Sequence, residues 1–243
     1  MILEVPVFDI KGALIAQKAG AHRLELCSSL SEGGITPSHG MIKWAKENLE
    51  IPFFVMIRPR SGNFVYSKEE IEIMLEDIIF CREIGIQGVV FGILTNEGNV
   101  HVSQCLKLLS ATGTMQTTFH RAFDRSVDPF QALEDIINCG FNRILSSGLK
   151  NTAPEGAELL AKLVEKAGNQ IIIMPGCGVD DTNIEKLHET VGAHEYHSSA
   201  KIEVENQDIG PAISSLENNS KEWLVSSEKI KSIIQWIKKI KED

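Results

Sequence analysis

Eight short runs rich in β-branched and large apolar residues alternate with longer segments of helical period, and this alternation limits the fold more than any other feature. The runs are ILEVPVF (2–8), HRLELCS (22–28), PFFVMIR (52–58), QGVVFGIL (87–94), TTFHRAF (117–123), RILSS (143–147), QIIIMPG (170–176) and HEYHSS (194–199). Between them apolar residues recur three and four apart, as in Ile71, Met74, Leu75, Ile78 and Ile79, or in Ile230, Ile233, Ile234 and Ile237. That spacing marks helices with one buried face. Ser67 with Glu70, Thr152 with Glu155 and Thr182 with Glu185 are spaced as capping boxes. Asp128-Pro129 reads as an N-cap followed by a first-turn proline. Gly20, Gly85, Gly140 and Gly192 each separate a helical segment from an even-numbered strand, with an apolar residue next, the pattern of a left-handed helix end.

Strands that alternate with helices over short connections build a parallel sheet. Eight such units in 243 residues predict an α/β protein, a (β/α)8 TIM barrel forming a single domain over 1–243. A doubly wound open sheet is the alternative, though it usually carries fewer strands at this length. Residues 201–225 break the rhythm and are expected to form a long irregular segment, either a lid or a surface loop.

The net charge of −9 argues against nucleic acid as a partner, since backbone binding wants a basic face. No stretch reaches the roughly 20 apolar residues of a membrane span, and MILEVPVFDI at the start has no signal-peptide pattern. Five cysteines without CxxC spacing suit a reducing compartment. The expectation is a soluble cytoplasmic protein.

In a barrel the outer face of each strand lies under helices and must be apolar, so polar residues at alternate positions turn inward. Leu24 and Leu26 outward put Glu25 and Cys27 inside; Val55 and Ile57 outward put Met56 and Arg58 inside. Phe119 outward puts Thr118 and His120 inside, Glu4 and Pro6 face in from the first strand, and His197 shares a face with Glu195 and Ser199. Converging ionisable groups near the strand C-termini, where barrel enzymes keep their sites, predict a pocket.

Each residue has a plainer reading. Glu25 and Arg58 would also serve as a structural ion pair, and His120 and His197 as satisfied core histidines. Arg60 and Arg121 are either solvated rim charges or clamps for a carboxylate or phosphate. Asp124 either closes the following turn and holds an arginine, or takes part in proton transfer. Ser147 and Gly148, and Gly176 and Gly178 around Cys177, follow strands six and seven, where barrels often bind phosphate; they are either backbone approaches for a ligand or plain turns. Thiolate favours soft ions such as Cu(I), yet no local spacing enforces a metal site.

Six segments in order, AHRLELCSSLSEGGITPSHG (21–40), IPFFVMIRPRSGNFVYS (51–67), TFHRAFDRSVDPFQALE (118–134), RILSSG (143–148), IIMPGCGV (172–179) and EYHSSA (195–200), closely resemble the CutC family of copper homeostasis proteins. The resemblance ends near residue 200. It implies a cytoplasmic TIM barrel, often a homo-oligomer, concerned with copper and of unsettled enzymatic activity. Position by position it assigns the family's motif residues to Glu25, Cys27, Arg58, Arg60, His120, Arg121, Asp124 and His197. Many members carry a first-strand cysteine where this chain has Pro6, and an acid where it has Asn63; Cys177 is a candidate substitute thiolate.

Two functions follow. By resemblance, the protein handles copper ion, binding Cu(I) through Cys27 and Cys177. From the inward residues, it is an enzyme acting on a small anionic metabolite. Arg58, Arg60 and Arg121 would then anchor the anion with Ser147, Gly148, Gly176, Gly178 and His197, and His120 would be the general acid or base beside Glu25 and Asp124.

Overall fold

A strand buried on both faces leaves no side chain free to reach water, so whatever polar groups it turns inward must satisfy one another. The computed structural model of the chain, which describes residues 1–205 and 221–242, contains eight strands that come close to this, most of their residues being buried. They are β1 (Ile2–Val7), β2 (Arg23–Leu26), β3 (Phe53–Met56), β4 (Gly88–Phe91), β5 (Gln116–Phe119), β6 (Arg143–Ser146), β7 (Ile172–Pro175) and β8 (Glu195–His197). Neighbours pair in parallel in the order β7-β6-β5-β4-β3-β2-β1-β8, and a bridge between Gly176 and His197 joins the two ends. The predicted TIM barrel is the observed fold.

Helices α1 (Ile10–Ala19), α2 (His39–Asn48), α3 (Lys68–Glu83), α4 (Val102–Thr112), α5 (Pro129–Cys139), α6 (Ala157–Ala167), α7 (Ile184–Val191) and α8 (Ser227–Glu242) accompany the strands. The Ser67–Glu70 capping box forms in both halves, and Asp128 caps α5 ahead of Pro129. Gly20, Gly140 and Gly192 end their helices at φ 95°, 94° and 67°, a conformation that costs a residue with a Cβ. The other two expected boxes open no helix. Thr152 binds Glu155 N in a turn ahead of α6, and Thr182 donates to Asp180 instead; both hydroxyls tie loops, and the helices start later.

Residues 201–225 also depart from expectation. Lys201–Glu205 (β9) and Lys221–Val225 (β10) pair antiparallel, with the Lys201 ammonium 4.0 Å from the centre of the Trp223 ring. Ile202 and Val204 alternate with acidic neighbours, and Ile202 pairs with Leu224 across the ladder, which suits a hairpin; residues 206–220 lie outside those described.

The outward face of the sheet is apolar, with Leu3, Val5, Val7, Leu24, Leu26, Val55 and Phe119 sealed under helices. The inward face holds a much smaller apolar cluster of Cys27, Phe54, Met56 and Val90. Below it, near the strand N-termini, the barrel is filled by charge. Arg23 bonds Glu4 and Glu195, and Arg143 bonds Glu195 at 2.9 Å. Both guanidiniums lie over the Phe54 ring, 4.7 and 5.1 Å from its centre. Gly88 makes this stack possible, because a Cβ there would come within 2.6 Å of the same ring.

Removing one member of a buried, balanced ionic cluster leaves its partners desolvated and unpaired. Arg23→Ala is therefore expected to destabilise the fold by about 3–5 kcal/mol, whereas Ser67→Ala, at an exposed cap, costs about 1 kcal/mol. Urea denaturation of the two variants checks the ordering; an equal loss in both would contradict the role given to Arg23.

Candidate functional site

The strand C-termini surround a cavity of about 250 Å³, a little below the roughly 300–1,000 Å³ typical of drug-sized ligand sites. Glu25, Cys27, Arg58, His120 and His197 all line it, so the sequence-predicted inward residues do converge. Arg121, Cys177 and Gly178 line it as well.

Glu25 and Arg58 do not pair. The Glu25 carboxylate is 2.9 Å from His197 Nε2 through one oxygen, while its other oxygen, Oε1, is buried and accepts no hydrogen bond from the described residues. Burial alone would lower the His197 pKa, but the charge and hydrogen bond of Glu25 outweigh it and raise the value. Arg58 is buried and bonds only neutral oxygens: its Nη1 donates to the Glu32 and Gly34 carbonyls at 2.8 and 2.9 Å, and its Nη2 to Gly62 at 3.1 Å. Among the described residues its Nε has no partner.

His120 ends β5 and caps the turn that follows, Nδ1 accepting from Ala122 N at 3.2 Å. A neutral ring whose Nδ1 accepts must carry its proton on Nε2, and that buried N–H has no partner among the described residues. Burial, reinforced by the positive charge of Arg58, brings the His120 pKa down to about 3. At neutral pH His120 is thus a hydrogen-bond donor toward the cavity, not a base. Two residues outside the sequence-predicted set shape this arrangement. Phe64 stands against both groups, 4.8 Å from the His120 ring centre and 5.0 Å from the Arg58 guanidinium. Gly92 leaves the space the imidazole needs, since a Cβ there would lie 2.8 Å from Nδ1.

Cys27 is fully buried. Desolvation first, and the adjacent Glu25 charge second, push its thiol pKa well above the ordinary value, so the resting group is a thiol. Cys177 sits at φ 73° with its sulfur 3.1 Å from the Asn151 carbonyl.

Other sequence-predicted residues point elsewhere. Arg60 is spent on Glu70 and on the carbonyls of Ser61, Asn63 and Val65, which ties the loop after β3 to α3. Asp124 does not line the cavity. It accepts from Ser146 Oγ at 2.6 Å, Ser147 N at 3.0 Å, Leu149 N at 3.2 Å and Arg121 Nε at 2.7 Å. The donors of Ser147 are thereby turned toward the protein's own carboxylate. Gly148 and Gly176 are packed by neighbours: an added Cβ would meet Gly156 O at 2.4 Å or Leu145 Cδ1 at 2.4 Å. Glu4 is the polar residue whose site potential the sequence understated, because Oε1 remains unpaired at zero exposure while Oε2 bonds Arg23.

Fold and cavity define a TIM-barrel protein with a small pocket at the C-terminal mouth, its walls mostly apolar and set with a few ionisable groups. The CutC family model matches residues 1–202, and the chain belongs to the CutC family. The human copper homeostasis protein cutC homolog is 45% identical over 200 residues, covering 82% of this chain and 73% of its own length. A crystal structure of CutC from Streptococcus agalactiae superposes with a TM-score of 0.78 at 36% identity, covering 82% of this chain and 98% of that one. Phosphoribosyl anthranilate isomerase from Thermotoga maritima, 14% identical with a TM-score of 0.58 over 97% of this chain and 98% of its own, shares the fold alone.

The two histidines are expected to titrate in opposite directions from the ordinary 6.5. His120, depressed in the folded state, contributes stability that is present above pH 6.5 and lost as pH falls toward about 3. His197, raised, contributes stability that is present below pH 6.5 and lost as pH rises through its folded value. Imidazole ¹⁵N NMR across pH 5–9 should find His120 neutral throughout and His197 titrating above 6.5. A His120 that protonates near its unfolded value would contradict the geometry given for Nε2.

Proposed function

We propose that this CutC-family protein serves copper homeostasis in the cytoplasm as a barrel that binds a small organic carboxylate and moves a proton on it. One observation carries this reading. Arg58 is a buried guanidinium that lines the cavity and, among the described residues, bonds only backbone carbonyls and forms no ion pair with a carboxylate. A buried cation without a counter-ion is costly, and an anionic ligand removes that cost while meeting the free Nε. The His120 N–H would polarise a second ligand oxygen, as neutral imidazoles do elsewhere. The Glu25–His197 pair would accept and return the proton. A cavity of about 250 Å³ suits a small-molecule ligand. Five unpaired cysteines suit the reducing cytoplasm.

Thermal-shift screening of small hydroxy- and keto-carboxylates tests the reading. A ligand should raise the melting temperature, and Arg58→Met should weaken its binding by about 2–5 kcal/mol, the range for losing one partner of a buried charge pair. A ligand whose affinity is the same in Arg58→Met and His120→Ala would sink this assignment.

A second reading, direct Cu(I) binding, has its own support in two cysteines, Cys27 and Cys177, that both line the cavity. Against it stands the raised pKa of Cys27, because a soft-metal ligand must be deprotonated. Anaerobic Cu(I) titration separates the two: direct thiolate binding predicts loss of the bound equivalent in Cys27→Ser, and the carboxylate reading predicts no change.

A further inference from the structure

Among the described residues, one group of metal-ligating side chains brings its donor atoms together, and it holds no sulfur. Glu4, Glu25 and His197 each offer a ligand atom, all within 4.8 Å of one another. They come from β1, β2 and β8, adjacent in the ring, with Glu4 paired in register to His197. We propose that these three residues form a binding site for a borderline divalent cation, such as Zn²⁺ or Mn²⁺, on the floor of the cavity. The proposal does not depend on the carboxylate-binding reading.

Proximity of carboxylates alone would not justify an ion. The independent sign is that both glutamates, 0% and 3% exposed, keep one oxygen with no hydrogen-bond partner. Buried acceptors are rarely left unpaired. Each carboxylate has already committed its other oxygen, Glu4 to Arg23 and Glu25 to His197. The Arg23–Glu4 bond is the kind of outer contact that orients a ligating carboxylate. An oxygen and imidazole donor set suits zinc or manganese, and Cu(I) prefers thiolate or thioether. Three protein ligands leave further coordination positions free, and since Glu25 and His197 line the cavity, those positions face it. Binding requires His197 Nε2 to exchange its contact with Glu25 for the metal and to give up any proton it carries to solvent.

The experiment is isothermal titration of metal-stripped full-length protein with Zn²⁺ and with Mn²⁺, no organic ligand being present. One equivalent of at least one ion should bind. Glu25→Gln and His197→Gln should each weaken it by roughly 100-fold or more, beyond the 10–100-fold typical of outer-shell changes. Cys27→Ser and Cys177→Ser should leave it unchanged. Failure of the wild-type protein to bind either ion overturns the proposal, as does binding that survives in both Glu25→Gln and His197→Gln. Should those variants not fold, Co²⁺ bound to wild-type protein decides: d–d bands without sulfur-to-cobalt charge transfer support the site, and strong charge transfer or no binding refutes it. Carboxylate binding at Arg58 can succeed or fail independently of each result, whereas proton transfer by the Glu25–His197 pair requires those two residues free of the ion.

Discussion

The inside of this barrel is held by charge that balances itself. Arg23 and Arg143 face Glu4 and Glu195 around the Phe54 ring, so two positive and two negative groups share a volume with almost no access to water. The arrangement depends on mutual satisfaction, because each member alone would be too costly to bury. It also fixes a floor, above which Glu25, Arg58, His120 and His197 line the cavity. Glu25 has a partner in His197. Arg58 has only carbonyls, and that imbalance is what gives the cavity its chemical character.

The same logic separates the two histidines. Both are at strand ends and both face inward, yet one stands beside a carboxylate and the other beside a guanidinium. Their proton affinities move apart for that reason. The result is a neutral donor and a readily protonated group within one small space, a division of labour that acid–base sites use repeatedly.

Much of this was legible in the sequence. Period-two alternation in strands two, three and five was sufficient to turn Glu25, Arg58 and His120 toward a common interior, since the opposite register would have buried charge beneath helices. Partner choice was not legible. Glu25 meets His197 across 172 positions, a pairing fixed by strand tilt and register rather than by local spacing. Arg23 and Arg143 open their strands and read as edge charges until the ring closes over Phe54. Gly88 and Gly92 carried no signal beyond glycine within a strand, although each clears the space for one aromatic ring. The hairpin of β9 and β10 escaped notice because its strands are short, polar and separated by a long intervening stretch.

The fixed position of Asp124 bears on where this barrel could hold a phosphate. TIM barrels often seat a phosphate on backbone amides after the later strands. In this chain the amides of Ser147 and Leu149 already hold an internal carboxylate. A phosphorylated compound entering beside β6 would find that berth taken and would meet like charge there.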